Sequence, residues 1–500
     1  MKCFNFIIAL CLFPVTQLLA QDGSYDTSFG NNGITITDFE GEADIARQMA
    51  LQPDGSIWVY GHKSFNIGFE KIIVRYAPNG LLDTNFGNNG IVLVTEQDDL
   101  NYTQLLPLGD GTVLAAGIQE NNSQNDFIIT KYTVTGSIDT SFGSNGTITL
   151  NVDNEEEIFV HLTNNNTITL LGATESNNEF VLVMARYLSD GTLDTTFGTG
   201  GIATTVLETN PSLTYNIYET LSYNSGFLIS YSSLAQNQNR IVKFAKMNGN
   251  GTLDTSFGNA GIANPGIAHD AYTQVALTVL PNDSFMALIH ISRYFTTGQS
   301  ETYFSRYLSN GNLDLSYANN GIRDVGYFEF APYKIIRQAN SRLLAYGGSS
   351  GIDGPTVTII RFYENGFMDN SFSGNGVFSQ DMVPVGMRLA PDGAILGVSS
   401  TPWYSGFEDF AVYRLNNNPL RVEENYKSNV GVFPNPTSDF IMVSCTECSL
   451  RNIPYQITDA FGRVVIRGKI AETPIISLEG LATGIYYLAT AETTVKLIKK

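Results

Sequence analysis

From Asp26 to about Asn418 the chain alternates short apolar runs with polar turns, and no stretch carries a helical period. The segment that starts at Asp83 shows the pattern. Ile91–Val94 is β-branched and apolar, Gln104–Leu106 opens a second run, and Val113–Ala116 follows the turn Gly109-Asp110-Gly111. Phe127–Tyr132 is the fourth run. Four short strands joined by Gly, Asn and Asp turns predict one blade of a β-propeller. The turn recurs as Pro53-Asp54-Gly55 and Pro391-Asp392-Gly393. The last strand of each unit ends in a basic residue followed by a large apolar one. These pairs read Arg75-Tyr76, Lys131-Tyr132, Arg186-Tyr187, Lys243-Phe244, Arg306-Tyr307, Arg361-Phe362 and Arg414-Leu415.

A five-residue motif punctuates the pattern. Asp26-Thr27-Ser28-Phe29-Gly30 returns with Asp83 and Phe86, Asp139 and Phe142, Asp194 and Phe197, and Asp254 and Phe257. It then decays to Asp314-Leu315-Ser316-Tyr317-Ala318 and Asp369-Asn370-Ser371-Phe372-Ser373. Successive aspartates stand 55 to 60 residues apart. A period this long means that each unit needs neighbours to bury its core. Seven units predict an all-β fold, a seven-bladed propeller. An aspartate before Ser or Thr and an aromatic reads as a turn cap, its carboxylate accepting backbone N–H groups, with the Phe filling the gap between blades. In an up-and-down meander the motif and the Pro-Asp-Gly turn share one face. The opposite face receives longer, irregular connections such as Gly61–Glu70, Gly117–Asp126 and Ser399–Asp409, where function is expected.

Three connections on that face are acidic. They hold Asp38 and Glu40, Asp98 and Asp99, and Glu155 and Glu156. Such a patch suits calcium or a basic partner as well as it suits plain solvation; no other cofactor or metal is expected. Trp403 beside Tyr404 is a stacking candidate for a sugar or peptide. The four histidines show no metal spacing, and no nucleophile elbow, phosphate loop or zinc-protease motif is present. No catalytic residue is assigned. The net charge of −20 disfavours nucleic acid as a partner.

The ends read differently from the body. Residues 1–20 have the charge, apolar stretch and small cleavage residue of a signal peptide, and no further segment is apolar enough to span a membrane. The propeller is expected over 21–418, a linker over 419–430 and a separate module over 431–500. In that module Phe440–Val443, Tyr455–Val465, Ile476–Leu478 and Gly484–Leu488 read as strands of a small Ig-like β-sandwich, and Cys445 and Cys448 as a structural pair in either oxidation state.

Its signatures are Pro434-Asn435-Pro436, Asp459 with Gly462 and Arg463, Gly484 with Tyr486, and a basic end that includes Lys496. In this order they resemble the C-terminal sorting domain of the type IX (Por) secretion system of Bacteroidetes. The resemblance implies export to the cell surface or medium, with the secretion machinery as a partner. The body, through Leu253 to Gly261 and its equivalents, resembles the delta-60 repeat family, which implies a propeller and no particular activity. Two functional expectations follow. The first is a non-enzymatic propeller that binds a glycan or protein through its irregular face. The second is a secreted hydrolase of polysaccharide or peptide with carboxylates at the ring axis.

Overall fold

The computed structural model describes the chain except for residues 1–20, 40–42, 66–67, 95–99, 122–123, 152–154, 163–166, 177–178, 210–214, 235–239, 270–271, 294–298, 327–329, 352–353, 403–407, 418–429, 434, 446–453, 460–462, 470–474 and 491–493. The chain divides into two units, Met1–Pro419 and Leu420–Lys500. The expected signal segment and most of the expected linker lie outside the described residues.

The larger unit is a ring of seven antiparallel sheets. Its inner strands are Asp44–Leu51, Leu100–Pro107, Glu155–Leu162, Asn216–Tyr223, Tyr272–Val279, Ala331–Arg337 and Val383–Leu389. In the first blade the inner strand is followed by Ile57–Phe65, Gly68–Tyr76 and the outer strand Ile91–Leu93. The outer strand of the fourth blade is split into Ile262–Ala263 and Ala268–His269. Alternate residues of each sheet fill the spaces between blades, so seven apolar clusters alternate with seven sheets.

Each blade is offset by one strand from the sequence repeat. Ile91–Leu93, which opens the unit that starts at Asp83, is the outer strand of the preceding sheet, with Ile73 opposite Val92. The motif turn is tight enough to send the chain straight back, Arg75 N–H donating to Gly90 C=O at 3.2 Å. The ring closes by the same rule. Ile34–Thr37, near the start of the body, pairs with Phe410–Leu415 and completes the seventh blade. The fourth unit differs from its expected register. Its third strand runs on to Met247, so Lys246-Met247 is the equivalent of Arg75-Tyr76, and Lys243 is paired instead with Glu208 at 2.5 Å.

Six of the seven inner strands carry a bulge near the irregular face, as between Ala46 and Gln48 or Tyr102 and Gln104. The kink brings the backbone onto the neighbouring strand. At Gly61 a Cβ would lie 2.2 Å from Ile45 C=O, so only glycine fits opposite the first bulge.

The smaller unit is a sandwich of two sheets. Val430–Phe433, Phe440–Cys445 and Ile475–Ser477 face Pro454–Asp459, Val464–Lys469, Gly484–Thr490 and Thr494–Lys499 across a core of Ile441, Val443, Ile457, Leu488 and Leu497.

Candidate functional site

On the motif face every repeat builds the same lock. One oxygen of the motif Asp accepts the N–H of the residue two positions on, at 3.0–3.2 Å in all seven copies. The other oxygen meets the basic residue that ends the third strand, eight positions upstream, as in Arg75–Asp83, Lys131–Asp139, Arg186–Asp194, Lys246–Asp254, Arg306–Asp314 and Arg361–Asp369. Ring closure supplies the seventh pair, Arg414–Asp26 at 2.8 Å. The cation of the six sequential pairs also lies over the motif aromatic, 4.7–6.0 Å from its centroid. The Lys246 ammonium, then the Ser256 hydroxyl, hold Asp254 down at about 2. These carboxylates are fully engaged in structure. The sequence contained both halves of the lock, and the constant spacing of eight residues is the signal that joins them.

A cavity of about 620 Å³ opens on this face between the third and fourth blades, lined by Leu162, Arg186, Asp194, Tyr223 and the Asn224–Gly226 turn. Its charged pair is one of the seven locks.

The irregular face carries what does not repeat. Asp38, in the connection that follows the closing strand, and Asp44 of the first blade meet Asp409 of the seventh, one oxygen of each lying within 4.8 Å of the others. Asp44 is fully buried and accepts the N–H of Phe39 at 2.6 Å and of Ser64 at 3.3 Å. Burial pushes its carboxyl up to about 6, the charges of Asp409 and Asp38 adding to the rise and the two N–H groups opposing it. Carboxylate oxygens are what a hard cation such as calcium takes, and these three would supply part of the roughly six to eight it needs. Asp409 was not legible as a member, because it reaches Asp38 only through ring closure. Glu40, Asp98, Asp99, Trp403 and Tyr404 lie outside the described residues. Glu155 and Glu156 begin the third inner strand.

The raised carboxyl has a measurable consequence. Its contribution to stability is full below the ordinary carboxyl value of 3.8 and is lost as pH rises through about 6. In chelator, Asp44→Asn is therefore expected to gain Tm relative to the native chain between pH 5 and pH 7. The comparison must be relative, because burial holds His62, His161 and His290 down at about 4 and acts in the opposite direction. Thermal melts of both chains at the two pH values check this, and a constant difference would count against it.

The inner strands ring a channel, each pairing on one side only, so their free edges face the axis. Two of these edges are sealed by the preceding blade. The Gln104 amide bonds both the N–H and C=O of Val160 at 2.8 and 2.9 Å, and Glu219 Oε2 accepts Leu277 N–H at 2.6 Å. The Glu219 carboxylate thus lies in the channel. Lys334 reaches it from the sixth blade, across the inner strand of the fifth, at 3.3 Å. Burial raises the Glu219 carboxyl, with Lys334 and then Arg388 of the seventh blade among the groups that oppose the rise. His161 Nε2 and Thr220 Oγ1 are 2.7 Å apart. Nearer the irregular face, Tyr272 and Tyr333 stand on neighbouring inner strands, 60% and 47% exposed. Neither tyrosine, nor Glu219, Lys334 or Arg388, has a local sequence signal.

In the smaller unit, Asn435 binds the last strand, donating to Lys496 C=O at 2.7 Å and accepting from Ile498 N–H at 2.9 Å. Asp459 caps its turn through Arg463 N–H at 3.0 Å and pairs with the Arg463 guanidinium at 2.7 Å. Tyr486 OH donates to Ala482 C=O at 2.9 Å, and Gly484 opens that strand. Pro434, Gly462 and Cys448 lie outside the described residues.

Residues 431–500 match the family described as a secretion system C-terminal sorting domain. Residues 52–86, 108–142 and 163–197 match the DUF5122 β-propeller, a domain of unknown function; each match ends at the motif Phe. No curated protein matches the chain. Among solved structures, Drosophila Semaphorin 2a is similar at 9% identity and a TM-score of 0.47, over 95% of this chain and 99% of that one. The polysaccharide lyase Uly1 is similar at 9% identity and a TM-score of 0.45, over 80% and 94%.

Proposed function

We propose that this chain, a β-propeller with DUF5122 repeats whose sorting domain directs it through the type IX secretion system to the cell surface or extracellular space, acts there as a non-enzymatic binding protein for a glycan or protein. One contrast between its two faces supports the reading. On the motif face the seven aspartates and seven cations lock onto one another. The polar and aromatic groups that break the repeat, from Asp38 to Tyr333, gather on the irregular face and in the channel behind it.

A glycosidase of the usual two-carboxylate kind would need a pair of channel carboxylates roughly 5–10 Å apart. Among the described side chains of the inner strands the carboxylates are Glu219, engaged by Lys334, and Asp44, at the irregular end.

The test is a glycan and protein array probed with the purified chain, with and without calcium, followed by incubation of whatever is retained. Retention of intact ligand is expected. Calcium-dependent retention that is lost in Asp409→Asn would place the ion at Asp38, Asp44 and Asp409. Released fragments would replace the binding reading with the hydrolytic one.

A further inference from the structure

The channel holds charges that the fold itself does not require. Glu219 and Lys334 occupy the same register position, opposite Ser230 and Tyr346, each three residues beyond the partner of Met247 or Phe362. The equivalents in the other blades are Gln48, Gln104, Phe159, Ala276 and Gly386. Five blades thus close the ring with neutral residues where two carry an ion pair. Desolvating such a pair costs about as much as its attraction returns, so packing alone does not explain it. Arg388 sits one inner-strand step lower on the seventh blade and adds a second cation to the one carboxylate.

Directly before Lys334 comes Tyr333, at the bulge that turns the strand toward the irregular face, its ring edge-on to buried Tyr346 with centroids 6.4 Å apart. Tyr272 begins the inner strand of the preceding blade, its hydroxyl accepting from the Gln274 amide. Two half-exposed tyrosines above two cations combine a stacking surface with a carboxylate receptor. The whole chain carries −20, a field that opposes anions, so the two channel cations are what would draw one to this place.

We infer that the channel mouth is a subsite for an acidic saccharide, with a sugar ring against Tyr333 and Tyr272, its carboxylate at Lys334 and Arg388, and hydroxyls at Glu219 and His161. The inference rests on the binding function proposed above and names its ligand class.

Calorimetric titration of the full chain with oligogalacturonate, oligoguluronate and glucuronate oligomers tests it, with methyl-esterified oligogalacturonate as the neutral counterpart. The acid is expected to bind at least tenfold more tightly than its ester, with an affinity that falls as salt rises. Tyr272→Ala, at an exposed strand end, is expected to weaken acid and ester alike by about tenfold. Because Lys334→Met alone leaves Glu219 unpaired, the double variant Glu219→Gln/Lys334→Met is used. With Arg388→Met added, so that neither cation remains to face the ligand carboxylate, the triple variant should keep the native melting curve and lose the preference for acid over ester. Equal affinity for acid and ester overturns the inference, and so does failure of every uronate while another glycan or a protein is retained. The latter result leaves the broader binding function standing; silence toward every glycan and protein removes both.

Discussion

Replacing Arg361 by methionine is expected to destabilise the propeller by about 3–5 kcal/mol, the range for removing one partner of a buried ion pair. Arg75→Met, at the equivalent place in the first blade, should cost only about 1 kcal/mol. The two arginines share the motif lock and differ in surroundings. Arg75 is partly open to solvent, with 17% of its side chain exposed. Arg361 is 3% exposed and its Asp369 is completely buried. Arg361 also holds Asp22 at 2.8 Å, where the chain enters the ring, Asn417 at 3.4 Å, where it leaves, and Ser371 at 2.9 Å. Without it two buried carboxylates lose a cation, and Asp369 keeps only the ion pair to Arg342 at 2.7 Å. Denaturant unfolding of the two variants decides the matter. Equal shifts in midpoint would mean that the lock of the sixth blade is no different from that of the first.

Phe86→Ala should cost a similar amount, about 3–5 kcal/mol, for another reason. Phe86 is wholly buried between the first and second blades, its centroid 4.6 Å from that of Trp58 and edge-on to it. It fits because the next blade turns at Gly136, with φ at +86°. A Cβ there would come within 2.8 Å of the Phe86 ring. Backbone on one side and indole on the other leave little room for collapse, so the truncation opens a cavity and also strips the surface over which Arg75 lies, 4.9 Å from the ring centroid. Unfolding monitored by Trp58 fluorescence reads the loss directly; a cost below about 1.5 kcal/mol would show that the blades close up around the gap.

The repeat made the blade number legible because its covalent period survives even where the motif decays, at Tyr317-Ala318 and Ser373. It misled at the fourth unit, where Lys243-Phe244 fits the basic–aromatic pattern better than the true pair Lys246-Met247. The strand register, with Phe227 opposite Met247, separates the two, as does the spacing of eight residues from Lys246 to the motif Asp254. The offset of blade against repeat was hidden as well, since sequence order does not say which neighbour an edge strand joins. The sorting signatures were legible as short motifs, and two of them, Asp459 with Arg463 and Tyr486 with Ala482, are closed by contacts four residues apart. The irregular face was not. Asp409 meets Asp38 by closure of the ring, and Lys334 meets Glu219 from a strand 115 residues away. Such contacts follow from the angle between blades, and no window along the chain contains both partners.

The pairing of Ile34–Thr37 with Phe410–Leu415 also sets a timetable. In a chain delivered amino end first, the earliest strand to emerge is the last to find its partner. Six blades can form in passing while that strand waits, its hydrogen-bonding edge open to any other chain. Long-range pairing of this kind is slow and prone to aggregation. The waiting strand is brief, Ile-Thr-Ile-Thr, with two hydroxyl-bearing residues and Asp38 directly after it. A segment so short and so polar is poor bait for its own kind during the interval before the ring shuts.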